Sequence, residues 1–433
     1  MIIKRDKYLD LLIRHKHNGM IKIITGIRRC GKSFLLANFF KESLLNEGVR
    51  EDHIVQIDFE DIKNKSLRDP EECYKYLSKA IKKDSKMHYI LLDEVQKLEE
   101  FPDVLNGLMH FSNADVFVTG SNSHFLSKDV VTEFRGRGDE IRMYPLCFLE
   151  FLTAYLDARK SRWNGEDLTF LAKSLDLAWT EYYTYGGLPH VLKLETKEEK
   201  EKYLKDLFKE TYLLDLIERY DIRDVSALDG VIDVVASDIG SLTNAYKIAN
   251  SFSKERASIP AGATIKNYLD YLKDAFIVEE AKRYDIKGKR HLNSISKFYF
   301  EDLGLRNARL NFRQTEENHI MENIIFNELN YRGYSVDVGI VEIREMKNGS
   351  YLKKQTEIDF VINRGDQRYY VQSAFAMPTG DKTEKELRPL LNVNDSFKKI
   401  VVVKENVAPS RNSQGIVTIG LRNFLLDPDS LDY

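Results

Sequence analysis

Gly26, Gly31, Lys32 and Ser33 fall in the run GIRRCGKS, which satisfies G-x-x-x-x-G-K-[ST] at every fixed position. Residue types at this spacing suit one kind of chemistry. The glycines let a short loop turn tightly, so that the backbone N–H groups of Gly26, Ile27, Arg28, Arg29, Cys30, Gly31 and on to Phe34 face an anion at a helix N-terminus. Lys32 then reaches the β- and γ-phosphate oxygens of a nucleotide, and the Ser33 hydroxyl ligates Mg²⁺. Further along, MHYILLDEVQK ends an apolar run in Asp93-Glu94. Asp93 is placed to hold the same Mg²⁺ and Glu94 to polarise an attacking water.

Two further stretches bear on the same chemistry. VFVTGSNS ends in Gly120-Ser121-Asn122-Ser123, where Asn122 offers a hydrogen bond to the γ-phosphate or its water; an ordinary strand-to-helix turn with a serine cap would look much the same. EFRGRGDE places Arg135 and Arg137 on a glycine-broken loop, where an arginine acts as a finger in cis or in trans or is simply solvated. The sequence therefore leaves the oligomeric state open.

These residues need a scaffold. Ile21–Thr25 is read as a buried parallel strand ahead of the loop. SFLLANFFKESLLNEG puts Phe34, Leu35, Ala37, Phe40, Leu44 and Leu45 at helical spacing, and Gly48 stops the helix. A chain of 433 residues exceeds one core, so about two to four domains are expected. The net charge of −3 confines any nucleic-acid contact to a local patch. Cys30, Cys73 and Cys147 form no Cys-x-x-Cys pair, which argues against structural zinc or a disulfide framework. With neither an apolar leader in MIIKRDKYLD nor a membrane-length apolar run, a cytoplasmic protein without membrane contact is expected.

The segments ITGIRRCGKS, ILLDEVQ, VTGSNSHFLSKD, FRGRGDEIRMYPLCFLEF and YYTYGGLPHVL resemble bacterial and archaeal AAA+-type ATPases that pair this domain with a C-terminal region of unknown function. The resemblance implies ATP and Mg²⁺ as cofactors and ATP hydrolysis as the activity. No Asn-Lys-x-Asp guanine-reading motif stands against adenine. GGLP, at Gly186–Pro189, looks like the G-x-P signature of STAND-type switch ATPases. That likeness implies that Pro189 approaches the adenosine; on its own the run is a turn between two helices.

The expected fold class is α/β: a P-loop domain over 1–147, a helical lid over 148–220, a winged helix over 221–305 and a nuclease-like domain over 306–433. DVSALDGVIDVVASDIG, SLTNAYKIANSF and PAGATIKNYLDYLKDAFIVEE read as helices, followed by a hairpin from FIVEEAKRYD and SISKFYFED. Lys282, Arg283, Lys287, Lys289 and Arg290 gather at its tip, a basic cluster suited to phosphate. DNA and a protein both remain open as its partner. In the last region Glu322 and Asp359 match the early-helix and strand acids of PD-(D/E)XK nucleases, KKIVVVKEN and GIVTIGLRNFLL close the sheet, and Lys353 and Lys354 lie nearby. Gln372 stands at the second acid and Ala374 at the lysine, so the resemblance implies the fold without catalysis. Three functions follow: an ATPase acting on nucleic acid, a nucleotide-gated switch working through protein contacts, and an ATP-regulated nuclease.

Overall fold

Ile21–Thr25 (β1) is buried at every residue, as a strand covered on both faces must be. It lies in a five-stranded, all-parallel sheet with Ile54–Asp58 (β2), His88–Asp93 (β3), Ala114–Thr119 (β4) and Gly138–Arg142 (β5), in the order β2-β3-β4-β1-β5. This computed structural model describes residues 2–120, 136–159, 168–252, 260–313, 316–347, 350–375 and 387–433. Ile21, Ile23, Ile57, Ile90, Leu92, Val116 and Val118 pack on one face of the sheet with Leu77, Leu105 and Leu108 from the helices Pro70–Ala80 and Phe101–Leu108. Lys22 departs from the apolar strand expected at β1. It is fully buried, and its ammonium is paired with Asp115 of β4.

The order matters for function. Because β4 lies between β1 and β3, the carboxyl end of β4 stands between the loop that follows β1 and the acids that end β3. Ligands of open parallel sheets bind at such carboxyl ends, where the strand order reverses.

These strands belong to one of two compact units, made of Met1–Pro145 with Leu188–His190 and Asp274–Phe276. The other holds Leu146–Gly187, Val191–Lys273 and Ile277–Tyr433. Its helices include Phe148–Asp157 and Leu168–Tyr185, where Phe148, Phe151, Trp179 and Tyr182 make edge-on and tilted ring contacts. The second helix stops at Gly186, whose φ of 76° a Cβ would strain; that Cβ would also lie 2.2 Å from Asp302 Oδ1.

Helices Val225–Ser237, Ala245–Ser251 and Gly262–Asp274 follow, then an antiparallel pair, Val278–Asp285 (β6) and Arg290–Phe300 (β7). Thr243, between the first two helices, bridges Ser296 of β7. The pair does not stand alone. β6 runs parallel to Ser335–Lys347 (β8), joining one eight-stranded sheet with Ser350–Arg364 (β9), Gln367–Ala374 (β10), Lys398–Val403 (β11), Ser410–Arg411 (β12) and Val417–Gly420 (β13), in the order β12-β13-β11-β10-β9-β8-β6-β7. The sheet thus runs across residue 305, where a domain boundary is expected from sequence. The helix Glu317–Tyr331 buries Ile320, Ile324, Ile325 and Leu329 in a core shared with Val338, Phe360, Val371 and Ile400. GIVTIGLRNFLL departs from an all-strand reading: β13 ends at Gly420 and Leu421–Leu426 is helical, burying Leu421, Phe424 and Leu425 at helical spacing.

Candidate nucleotide-binding site

The loop after β1 is shaped by its glycines. Gly26 has φ 145°, and a Cβ there would lie 2.1 Å from the backbone oxygen of Met143, just past β5. Gly31 (φ 108°, left-handed) stands at the N-cap of the following helix. The helix runs as Lys32–Phe34, a π-helical stretch Leu35–Phe40 and then Lys41–Asn46, so the expected regular helix carries an irregular middle. Lys32 is buried, and its ammonium donates to the carbonyls of Gly26 (2.8 Å) and Ile27 (3.0 Å), bending back over the loop. The Cys30 thiol is buried against the Met143 carbonyl, Arg28 is half-buried, and Arg29 (φ 67°), Ser33 and Phe34 are exposed. Arg5 fixes the loop from outside the motif by donating to Cys30 O (3.1 Å) and Tyr144 O (2.6 Å).

The two motifs meet. The Ser33 hydroxyl lies close enough to the Asp93 carboxylate to act on its charge, and that carboxylate accepts the hydroxyl of Thr119 at the end of β4. Burial raises the Asp93 carboxyl above its usual range, and these two hydroxyls pull it back. Glu94 adopts φ 50°, its N–H donates to Thr119 Oγ1 at 2.9 Å, and its carboxylate accepts from the Gln96 amide. Asp58, opposite Asp93 in register, adds a third acid at this edge. A hydroxyl, a buried carboxylate and a lysine at the loop mouth form a hard-oxygen and cation set that fits Mg²⁺ and phosphate. The sequence reading missed Arg5 and Thr119. Thr119 is a polar residue closing a buried strand, but only the strand order places it beside Asp93.

Of the remaining candidates, Asn122 and Arg135 lie outside the described residues. Arg137 is exposed, and its carbonyl accepts from Ile21. Pro189 falls with Leu188 and His190 in the same unit as the loop. Among the described residues His53, Asp84 and His88 also bring possible metal-binding atoms within 4.8 Å of one another. Both nitrogens of His88 are engaged by the backbone, Nε2 accepting from Lys82 N and Nδ1 donating to Lys86 O, which does not suit a metal ligand.

In the other unit Glu322, Asp359 and Gln372 come together, but the cation among them is Lys297 of β7. Its ammonium lies 2.8 Å from Glu322, 2.5 Å from Glu357 and 3.5 Å from Asp359. Tyr299 donates to Glu322 at 2.6 Å; Gln372 Nε2 and Ser373 N donate to Asp359 at 2.7 and 2.9 Å. Burial, with Glu322 close by, pushes the Asp359 carboxyl up to about 6, while Lys297 acts against the rise. Lys353 instead faces Glu342 at 2.9 Å, and Ala374 packs among Tyr370, Val401 and Val403.

Residues 18–152 match the AAA domain family model, and residues 176–316 match a domain of unknown function, DUF8612. An uncharacterized protein of Haemophilus influenzae is 33% identical over 401 residues, covering 93% of each chain. The chain belongs to that protein's family. An uncharacterized protein of Methanocaldococcus jannaschii is 28% identical over 390 residues, covering 89% of this chain and 80% of its own. The Aeropyrum pernix Orc1 protein solved in complex with DNA aligns over 72% of this chain and 93% of its own at 14% identity and a TM-score of 0.31, a likeness too low to carry an argument. The residues matched by the AAA domain model include the whole loop, Asp93, Glu94 and Thr119. No helix among the described residues is long and apolar enough to cross a membrane.

Proposed function

We propose that this chain is a Mg²⁺-dependent ATPase in which ATP turnover drives an output through the region beyond residue 220. The observation that carries the reading is the meeting of Ser33 with Asp93, which joins the phosphate loop to the acid of the second motif. The chemistry a magnesium ion would supply is neutralisation of phosphate charge. Ser33 and Asp93 would hold the ion, and Lys32, which now donates to the Gly26 and Ile27 carbonyls, would pair with phosphate. Glu94 orients and polarises the attacking water. Thr119 holds the Asp93 carboxylate and the Glu94 backbone through one hydroxyl. Asn122 is assigned to the γ-phosphate, Arg135 or Arg137 to the developing charge, and Pro189 to the adenosine side.

For the output we assign the helices and hairpin of residues 221–305 to a winged helix that contacts DNA, its hairpin continuing into the sheet of the nuclease-like region over 306–433. Supporting this are the helix order, the Thr243–Ser296 bridge and the exposed Lys287, Lys289 and Arg290 at the hairpin tip. A second reading, a nucleotide-gated switch with a protein partner, draws support from the third helix. There Lys273 is tied to Asp270 (2.8 Å) and Glu280 (2.9 Å), so its charge is already met. Measuring ATP turnover of the full chain with duplex DNA, with RNA and with neither separates the two. Acceleration by DNA supports the first reading, and an unchanged rate supports the switch. Absence of turnover with Mg²⁺ under every condition removes the ATPase assignment.

A further inference from the structure

We propose that Lys297 is the resident cation of the Glu322–Glu357–Asp359 cluster, so that the full chain binds no divalent metal there. Lys297 is 3% exposed, and its ammonium has carboxylate oxygens at 2.5, 2.8 and 3.5 Å from three different side chains. Those side chains come from the helix Glu317–Tyr331 and from β9, while the lysine comes from β7, so the charge sits where the three acids converge. A divalent ion shared by the same acids needs oxygens at roughly 2.0–2.6 Å, which would seat it against the ammonium. Two cations at that separation repel strongly in a buried site.

The neighbours hold the acids around the lysine. Asp359 Oδ2 already accepts two N–H donors, from Gln372 and Ser373, and Glu322 Oε1 accepts Tyr299 as well as Lys297. At position 372 an amide can donate to Asp359, which a carboxylate could not. Ala374 packs into an apolar cluster and leaves the charge to β7. The inference does not depend on the ATPase reading, since no residue of the phosphate loop enters it.

The test is Mn²⁺ binding to the nucleotide-free full chain, followed by the spin-resonance signal of free Mn²⁺. Wild type and Asp359→Asn should bind the ion alike. Lys297→Met, similar in length and uncharged, should gain about one ion per chain with affinity raised about tenfold or more, and Lys297→Met with Asp359→Asn should lose it. Wild-type Mn²⁺ uptake that falls in Asp359→Asn and in Glu322→Gln would overturn the proposal. So would a Lys297→Met chain with the wild-type circular dichroism spectrum and no gained ion. If Lys297→Met does not fold, the comparison of wild type with Asp359→Asn and Glu322→Gln decides alone.

Discussion

The hydroxyl of Thr119 donates to Oδ1 of Asp93 and accepts the backbone N–H of Glu94, so one side chain at the end of β4 fixes the Asp93 carboxylate and the backbone that carries Glu94. Thr119→Val keeps the shape and removes both bonds. Each orphaned polar group costs about 1–3 kcal/mol. Steady-state ATP turnover should fall by about 10–100-fold, while nucleotide affinity by equilibrium titration stays within about threefold. Wild-type turnover in Thr119→Val would remove Thr119 from the site.

Lys32 and Glu94 should separate binding from chemistry. Lys32→Ala removes the cation folded over Gly26 and Ile27 and should abolish or greatly weaken ATP binding, measured with a fluorescent analogue. Glu94→Gln should bind ATP as wild type does and hydrolyse it about 10²–10⁴-fold more slowly, since only the water's polarisation is lost.

Gly26→Ala tests the shape of the loop. Its Cβ would press on the Met143 carbonyl at 2.1 Å in a backbone that disfavours side chains, so the loop must move. A loss of about 1–3 kcal/mol is expected in thermal unfolding, together with lost nucleotide binding. Gly48→Ala, with φ 88° and nothing within 4 Å, should cost less and leave nucleotide binding unchanged.

Changing Lys287, Lys289 and Arg290 together to Ala should weaken DNA binding across sequences. It should also flatten the dependence of log affinity on log salt by up to about three contacts' worth. An unchanged slope would show that the hairpin tip meets no phosphate.

What was legible in the sequence was local. GIRRCGKS and LLDE identify their roles within a few residues, because glycine freedom, the lysine and the acids all act on one loop end. Lys22 shows where local reading stops: a charge inside an apolar strand is explained only by Asp115, on a strand that sequence does not reveal as its neighbour. Thr119 became interpretable once β4 lay between β1 and β3. Arg5 reaches Cys30 across 25 residues with no motif to announce it. In the C-terminal region resemblance picks out Glu322 on its helix and Asp359 on its strand. It does not pick out Lys297, because its contribution comes from the hairpin, on the far side of the expected boundary.

The sharing of strands across residue 305 has a consequence for dissection. A polypeptide ending there would keep β6 but strip its Arg283–Asp285 edge of β8, leaving backbone groups ready to recruit another molecule's strand. It would also leave Lys297 without the acids that solvate it. The complementary polypeptide, starting near Asn311, would keep Glu322, Glu357 and Asp359 and lose their lysine. Metal uptake or cleavage by that fragment would report on the cut rather than on the intact molecule. Here the smallest piece that retains native chemistry is larger than a motif-drawn domain.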